Sequence, residues 1–406
     1  MISDFVTEWY YWLPLLGLVA LAARLLGARL LDFQFLIILL LGQYAVHSVI
    51  AFGAISRIAI FCILFFALFV AFASHRGALA PHSPPLRKID VRWMATARLY
   101  LLVYYSSRLI LYPYLSGELL LDVRLAAQQE NPVLFTLGLA VQPALAACMY
   151  GWLTSSRMTL IDKLTIGIVV VGMLGSGSKA AVLPLVLVYF GVASYLGRNW
   201  LRNRAALAMI AAAIGLTLYV LAAFFPDLEF SDVSALVQYR IAGNTDNLEY
   251  LSVIGLEPDR FPYAGPGALF PLLSKRFGYE FEFPPGVWLH GMRFGDWSGF
   301  GPNSGIVMDY YGNLGWLGLA AAPLLGWYVR STRDHLNPIR CSFLSMAYIA
   351  IVDVGIFDVA LVVWGMIWAL VVVTRRVRGS GLTMPWRRPR RSARASTPPP
   401  LVGLPR

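Results

Sequence analysis

From Trp9 to Val373 the chain is a succession of apolar runs, most of them close to the length at which a helix crosses a bilayer. Such a span needs about 20 predominantly apolar residues, and it must be helical, since hydrocarbon leaves the backbone only itself to bond to. Hydropathy predicts helices near 9–24, 33–54, 57–74, 95–115, 132–153, 164–175, 180–197, 205–225, 302–329, 342–354 and 357–374. Composition agrees: 58% of the 406 residues are apolar and 14% are charged, against about 45–50% and about 25% in a soluble domain. Mean hydropathy is +0.64. The expected fold class is an all-α polytopic membrane protein with about eleven transmembrane helices.

Two stretches, 164–197 and 341–374, are too long for one span and short for two. Each is read as a tight hairpin of short helices. The first is broken at Gly175-Ser176-Gly177-Ser178-Lys179 and the second near Asp353–Asp358. The basic residues set the orientation. Arg76, Arg87, Lys88 and Arg92, then Arg198, Arg202 and Arg204, then Arg330, Arg333 and Arg340, and the nine arginines from Arg375 onward, all face the cytoplasm if the N-terminus lies outside. The other side then receives 116–131, with Glu118, Asp122 and Glu130, and the long segment 226–301, with ten acidic and five basic residues. The integral membrane domain is thus expected over 1–378, with an extracytoplasmic loop at 226–301 and a disordered basic cytoplasmic tail at 379–406. The first apolar run follows Asp4 and Glu8 rather than a basic region, so it reads as a span and not a cleavable signal.

The net charge of +11 is accounted for by arginine-rich cytoplasmic loops, and no nucleic-acid partner is expected. Cys62, Cys148 and Cys341 lie inside apolar runs without CxxC spacing, which excludes a disulfide framework and a cysteine metal site. No HExxH, DxD cluster or GxSxG stands where a site could form, so metal-dependent and serine hydrolysis are unsupported.

Only 226–301 is large enough to build a site outside the membrane. Its prolines, glycines and aromatics suggest a compact cap of short amphipathic helices and ordered loops. Basic residues outside or within the membrane are disfavoured and call for a partner. Arg108 lies near the outer end of its helix, Lys179 at the hairpin break, Arg240 just after the eighth helix and Arg293 in the loop. Converging on one anionic group, they would suit a pyrophosphate, because a guanidinium donates two parallel hydrogen bonds; the alternative is internal ion pairing with Asp309, Asp353 or Asp358. Gly175–Lys179 opens a helix, whose free N–H groups attract anions, but its spacing is not that of a nucleotide-binding P-loop. Asn303, Asp309 and Asn313 form a polar face on the ninth helix that packing does not explain. His290, the sole histidine of the loop, is a structural group or a proton-transfer group beside Arg293. Asp246, His290 and Asp309 are the candidate bases.

These residues resemble a family. Gly-Ser-Gly-Ser-Lys at the break of a short-helix hairpin is similar to the Gly-Ser-Arg hairpin of Wzy-type O-antigen and exopolysaccharide repeat-unit polymerases, with Lys179 where arginine is usual. One long outer loop late in the chain is a second likeness. The following helix, Tyr310-Tyr311-Gly312-Asn313-Leu314-Gly315-Trp316-Leu317-Gly318, is similar to their tyrosine-x-x-phenylalanine-glycine-x-x-glycine entry helix, with Asn313-Leu314 in place of the phenylalanine. The resemblance covers roughly 160–375 and implies a GT-C-like fold in the bacterial cytoplasmic (inner) membrane. It implies glycosyl transfer between polyprenyl-diphosphate-linked oligosaccharides on the outer face, with no metal and no cofactor, and a chain-length regulator protein as partner. Arg108, Lys179, Arg240, Arg293 and Asn303 would bind substrate. The rival readings are an O-antigen ligase, a flippase or transporter of lipid-linked sugars, and a membrane acyltransferase built on His47, whose sequence neighbours do not support it.

Overall fold

The structure, a computed structural model, describes residues 9–28, 32–74, 87–111, 132–138, 140–155, 158–174, 183–196, 245–254, 285–297, 305–333, 337–352 and 365. Every regular element among them is helical. They are α1 (Trp9–Leu26), α2 (Phe33–Phe52), α3 (Arg57–Ala73), α4 (Lys88–Leu111), α5 (Pro132–Gly138), α6 (Val141–Thr154), α7 (Leu160–Leu174), α8 (Leu183–Tyr195), α9 (Asp246–Ile254) and α10 (Pro285–Phe294). A π-helix (Val307–Gly312), a 3-10 helix (Gly315–Ala320), α11 (Ala321–Arg333) and α12 (Pro338–Val352) follow. The expected helix 205–225, the Gly-Ser-Gly-Ser-Lys break, the break near Asp353–Asp358 and the tail lie outside the described residues. Among the described helices, Phe33–Phe52 alone is long and apolar enough to cross a membrane, at a mean hydropathy of 2.1; Trp12–Leu26 and Arg57–Ala73 are shorter apolar helices.

Helix starts follow from local chemistry. The Asp32 carboxylate accepts the Phe35 N–H at 2.6 Å and the Ser56 hydroxyl accepts the Ala59 N–H at 3.1 Å, each satisfying an amide that the first turn leaves open. Thr159 and Asp162 cap each other's backbone at the start of α7: Asp162 Oδ2 accepts the Thr159 N–H at 2.8 Å, and Thr159 Oγ1 accepts the Asp162 N–H at 3.2 Å. Asn337 Oδ1 accepts the Arg340 N–H at 2.8 Å and opens α12.

Contacts along the helices fix their directions. Phe61 lies against Tyr311 and Trp316, with ring centroids 5.0 and 6.2 Å apart, while Gly326 meets the backbone at Phe69 and Ala73, so α3 and α11 run parallel. Arg98 pairs with Asp162 at 3.2 Å and Tyr105 covers Gly172, so α4 and α7 run parallel as well. Trp93 Nε1 donates to Ser342 Oγ at 3.0 Å, which sets the start of α4 beside the α11–α12 turn. Phe33 fills the space over Gly191 and brings the end of α8 to the start of α2. The bundle therefore has two ends. The end where α2 turns into α3 also carries α9 and is here the cap end; the other, with Arg24, Arg87, Lys88, Arg92, Arg330 and Arg340, is the arginine end.

Two expected helices are built differently. The run 132–153 is divided into α5 and α6, with Gly138 lying under the Tyr104 ring. The run 302–329 is a π-helix, a 3-10 helix and then α11. Gly315, at φ +55°, departs from helical backbone, and a side chain at Gly318 would lie 2.5 Å from the Tyr310 carbonyl oxygen. Gly315 and Gly318 thus mark where the expected helix is interrupted.

The interior carries polar groups, including Gln34, Gln43, Thr165, Ser342 and Ser345, all fully buried. The outer faces carry apolar ones. On α1 a stripe of Leu15, Val19, Ala22 and Leu26 is buried, and Leu13, Leu16, Leu21 and Leu25 are exposed.

Candidate functional site

The cap end gathers α2, α9, α10 and the segment that leads into the π-helix. Asp246 and Glu249 fall in the first turn of α9, where carboxylates suit the helix dipole. Thr245, Asn247, Leu248 and Leu251 are fully buried, and this side faces α2. His47 Nδ1 and Thr245 Oγ1 share a hydrogen bond of 2.6 Å, and Asn247 Nδ2 donates to the Tyr44 hydroxyl at 3.1 Å. Gly305, at φ +56°, passes directly over this pair: a side chain there would overlap the Tyr44 hydroxyl and lie 3.0 Å from Asn247 Nδ2. The polar start of α9 is therefore clamped between α2 and the chain that enters the π-helix.

The other side of α9 meets α10. Arg293 Nη2 donates to Glu249 Oε1 at 3.1 Å, and the guanidinium carbon sits 4.7 Å from the Tyr250 ring centre and 4.9 Å from that of Phe294. Both charges are largely shielded from water, so the ion pair and the ring faces hold the arginine in one place. His290 Nδ1 is 3.4 Å from the Tyr250 hydroxyl and its Nε2 is 3.6 Å from Asp296 Oδ2. Asp296 reaches back because Gly295, at φ +71°, ends α10, with its N–H bonded to Gly291 O at 2.8 Å. The same turn lays the Trp297 ring on Gly291. The imidazole thus lies between a phenol hydroxyl and a carboxylate, one at each ring nitrogen.

The sequence-predicted residues divide as follows. Asp246, His290 and Arg293 are brought into this one end-group. Asp309 lies in the adjoining π-helix, a backbone form that recurs at functional sites, with its side chain outside the described set. Arg108 is near the C-terminal end of α4, which runs from the arginine end toward the cap end. It shares the end but is placed among α5 and α7 rather than in the α9–α10 contact. Leu174 and Leu183, which flank the Lys179 segment, belong to the same end by the directions of α7 and α8. Lys179, Arg240 and Asn303 themselves lie outside the described residues. Arg293 has a carboxylate partner that the sequence did not suggest, Glu249, in place of the aspartates of the apolar runs. Glu249, Tyr250, Asp296, Thr245 and Tyr44 were not singled out. His47 was weighed only as an acyltransferase group, whereas it anchors α9.

Comparisons with family models, curated proteins and solved structures give no match to the chain.

Proposed function

We propose that this chain is a multispan membrane glycosyltransferase that polymerises polyprenyl-diphosphate-linked oligosaccharide repeat units into a surface polysaccharide on the outer face of the cytoplasmic membrane. The membrane part is supported by the apolar side chains, leucines foremost, that the described helices expose on their outer faces around an already apolar core, a surface that suits hydrocarbon. Basic residues at the end opposite α9 support the cap end as the outer one. The observation that carries the catalytic part is the docking of α9 onto α2 and Gly305 and of α10 onto α9, which supports grouping His290, Arg293 and Asp246 at the end where the π-helix holds Asp309.

In this reading Arg108, Lys179, Arg240 and Arg293 neutralise the diphosphate as the bond from the anomeric carbon to its oxygen breaks. The acceptor hydroxyl loses its proton to a base as its oxygen bonds to that carbon. Among Asp246, His290 and Asp309 we assign His290: with its Nε2 toward the Asp296 carboxylate, Nδ1, on the Tyr250 side, is the nitrogen that takes the proton. Asn303 would contact sugar. Exposed Phe294 and Trp297 offer flat surfaces to sugar rings.

The test is deletion in the native host, with gel analysis of surface glycan. The expected result is collapse of the polymer ladder to single capped repeat units, restored by the wild-type gene. Long lipid-linked polymer accumulating instead would make the chain a ligase, and repeat units held on the inner leaflet would make it a flippase.

A further inference from the structure

At the arginine end, the start of α4 and the α11–α12 turn leave a cleft of about 410 Å³. Arg87, Asp90, Asn337 and Arg340 line it, and Trp327 and Phe343 form apolar wall. Arg340 is positioned by its own surroundings: Nη1 donates to Ser331 O at 2.7 Å and its backbone N–H to Asn337 Oδ1 at 2.8 Å. Among the described residues neither Arg87 nor Arg340 has a carboxylate partner, and most of their guanidinium donors meet no acceptor there. Asp90 is buried. Its Oδ2 accepts the Arg87 N–H at 2.8 Å, while its Oδ1 has no hydrogen-bond partner among the described residues. A buried carboxylate oxygen in that state asks for a donor.

We propose that this cleft binds the headgroup of an anionic glycerophospholipid of the inner leaflet, its phosphodiester between Arg87 and Arg340 and its acyl chains along Trp327 and Phe343. The charges select the guest: two guanidinium groups against one carboxylate leave one positive charge, which matches a single phosphodiester. A headgroup that also carries hydroxyls sets hydrogen-bond donors on the Asp90 side of the cleft, as a phosphatidylglycerol does. The wall continues outward as apolar surface, for Trp327 and Ile89 are exposed beside the cleft. Basic pockets between spans on the cytoplasmic side recognise acidic headgroups on this principle. The proposal rests on the membrane reading above and not on the glycosyl-transfer reading.

The experiment is native mass spectrometry of the full chain from mild detergent, after exposure to mixed phosphatidylglycerol, phosphatidylethanolamine and phosphatidylcholine. Thermal melts with each lipid and with inorganic phosphate accompany it. Phosphatidylglycerol should be retained about tenfold over the other two, since one charge-assisted contact is worth roughly that factor. Arg87→Gln and Arg340→Gln should abolish the preference, and Arg340→Lys should keep part of it. Equal retention of all three lipids, or a preference that survives both glutamine variants, overturns the proposal. Stabilisation by inorganic phosphate equal to that by the lipid overturns it too, in favour of a free-anion site. A chain that leaves the membrane fraction without detergent overturns the membrane reading itself, and that result is visible before any lipid is added.

Discussion

Arg293 and Glu249 sit on separate short helices, and each is the main reason the other tolerates its shielded position. Removing one partner leaves a half-buried charge, whereas removing both leaves none. We therefore expect Arg293→Gln and Glu249→Gln each to lower stability, and the double variant to lose less than their sum, with a coupling of about 1–2 kcal/mol. Thermal melts of the four proteins in one detergent check it. Activity should behave differently if Arg293 also serves the diphosphate. Glu249→Gln should retain more than Arg293→Gln, and the double variant should not recover. Arg293→Lys should fall to about a tenth of wild type, because an ammonium supplies neither the planar fork nor the stacking on Tyr250. Equal activity in the lysine and wild-type proteins would limit Arg293 to holding α9 and α10 together.

At the scale of elements, the start of α3 falls where hydropathy expects it, at Arg57, whereas α7 and α12 begin at Leu160 and Pro338, ahead of the expected 164 and 342. Polar caps, Thr159 with Asp162 and Asn337, set those two starts, and hydropathy does not register them. The division at Gly138 depends on a tyrosine from α4, and the π-helix on glycines whose backbone conformation shows only in three dimensions. The candidate site was half legible for the same reason. His290 and Arg293 stand out within one helix, but Glu249, Asp296 and the His47 anchor are defined by which helices meet. The Asp162 staple joins both kinds of information. Burial alone would raise its carboxyl, but bonds from Thr159 and from Trp152 Nε1 at 3.0 Å, with the Arg98 charge, outweigh that and hold it below the ordinary carboxylate range. A folded-state value below the unfolded one stabilises the protein above the unfolded value and loses that contribution as pH falls through the folded one. Wild type should therefore lose melting temperature on acidification from neutral pH to below about pH 4, the ordinary aspartate value. Asp162→Asn should start lower and show a flatter dependence. Parallel profiles in the two proteins would remove Asp162 from that role.

For the whole molecule, the membrane orientation proposed above, with α9 and the arginines at opposite ends, makes a topological prediction. Cys62, Cys148 and Cys341 are buried, so the wild-type background to a thiol reagent should be low. Met292 on α10 and Met158 before α7 are exposed, one at each end. In spheroplasts an impermeant maleimide should label Met292→Cys at once, and Met158→Cys only after the membrane is opened. The reverse order would invert the orientation and move the α9–α10 group to the cytoplasm.

The parallel pairing of α4 with α7 carries a consequence for synthesis. Parallel neighbours cannot form a simple hairpin; the chain must first return through α5 and α6. During that interval Arg98 has been made and Asp162 has not. A nascent chain emerging from its N-terminus onward thus passes through a stage with a cation facing the bundle and no anion to meet it. If the chain inserts in the membrane as proposed, truncations that stop at Thr154 should consequently be held by the insertion machinery or degraded, while those that extend past Leu174 are released.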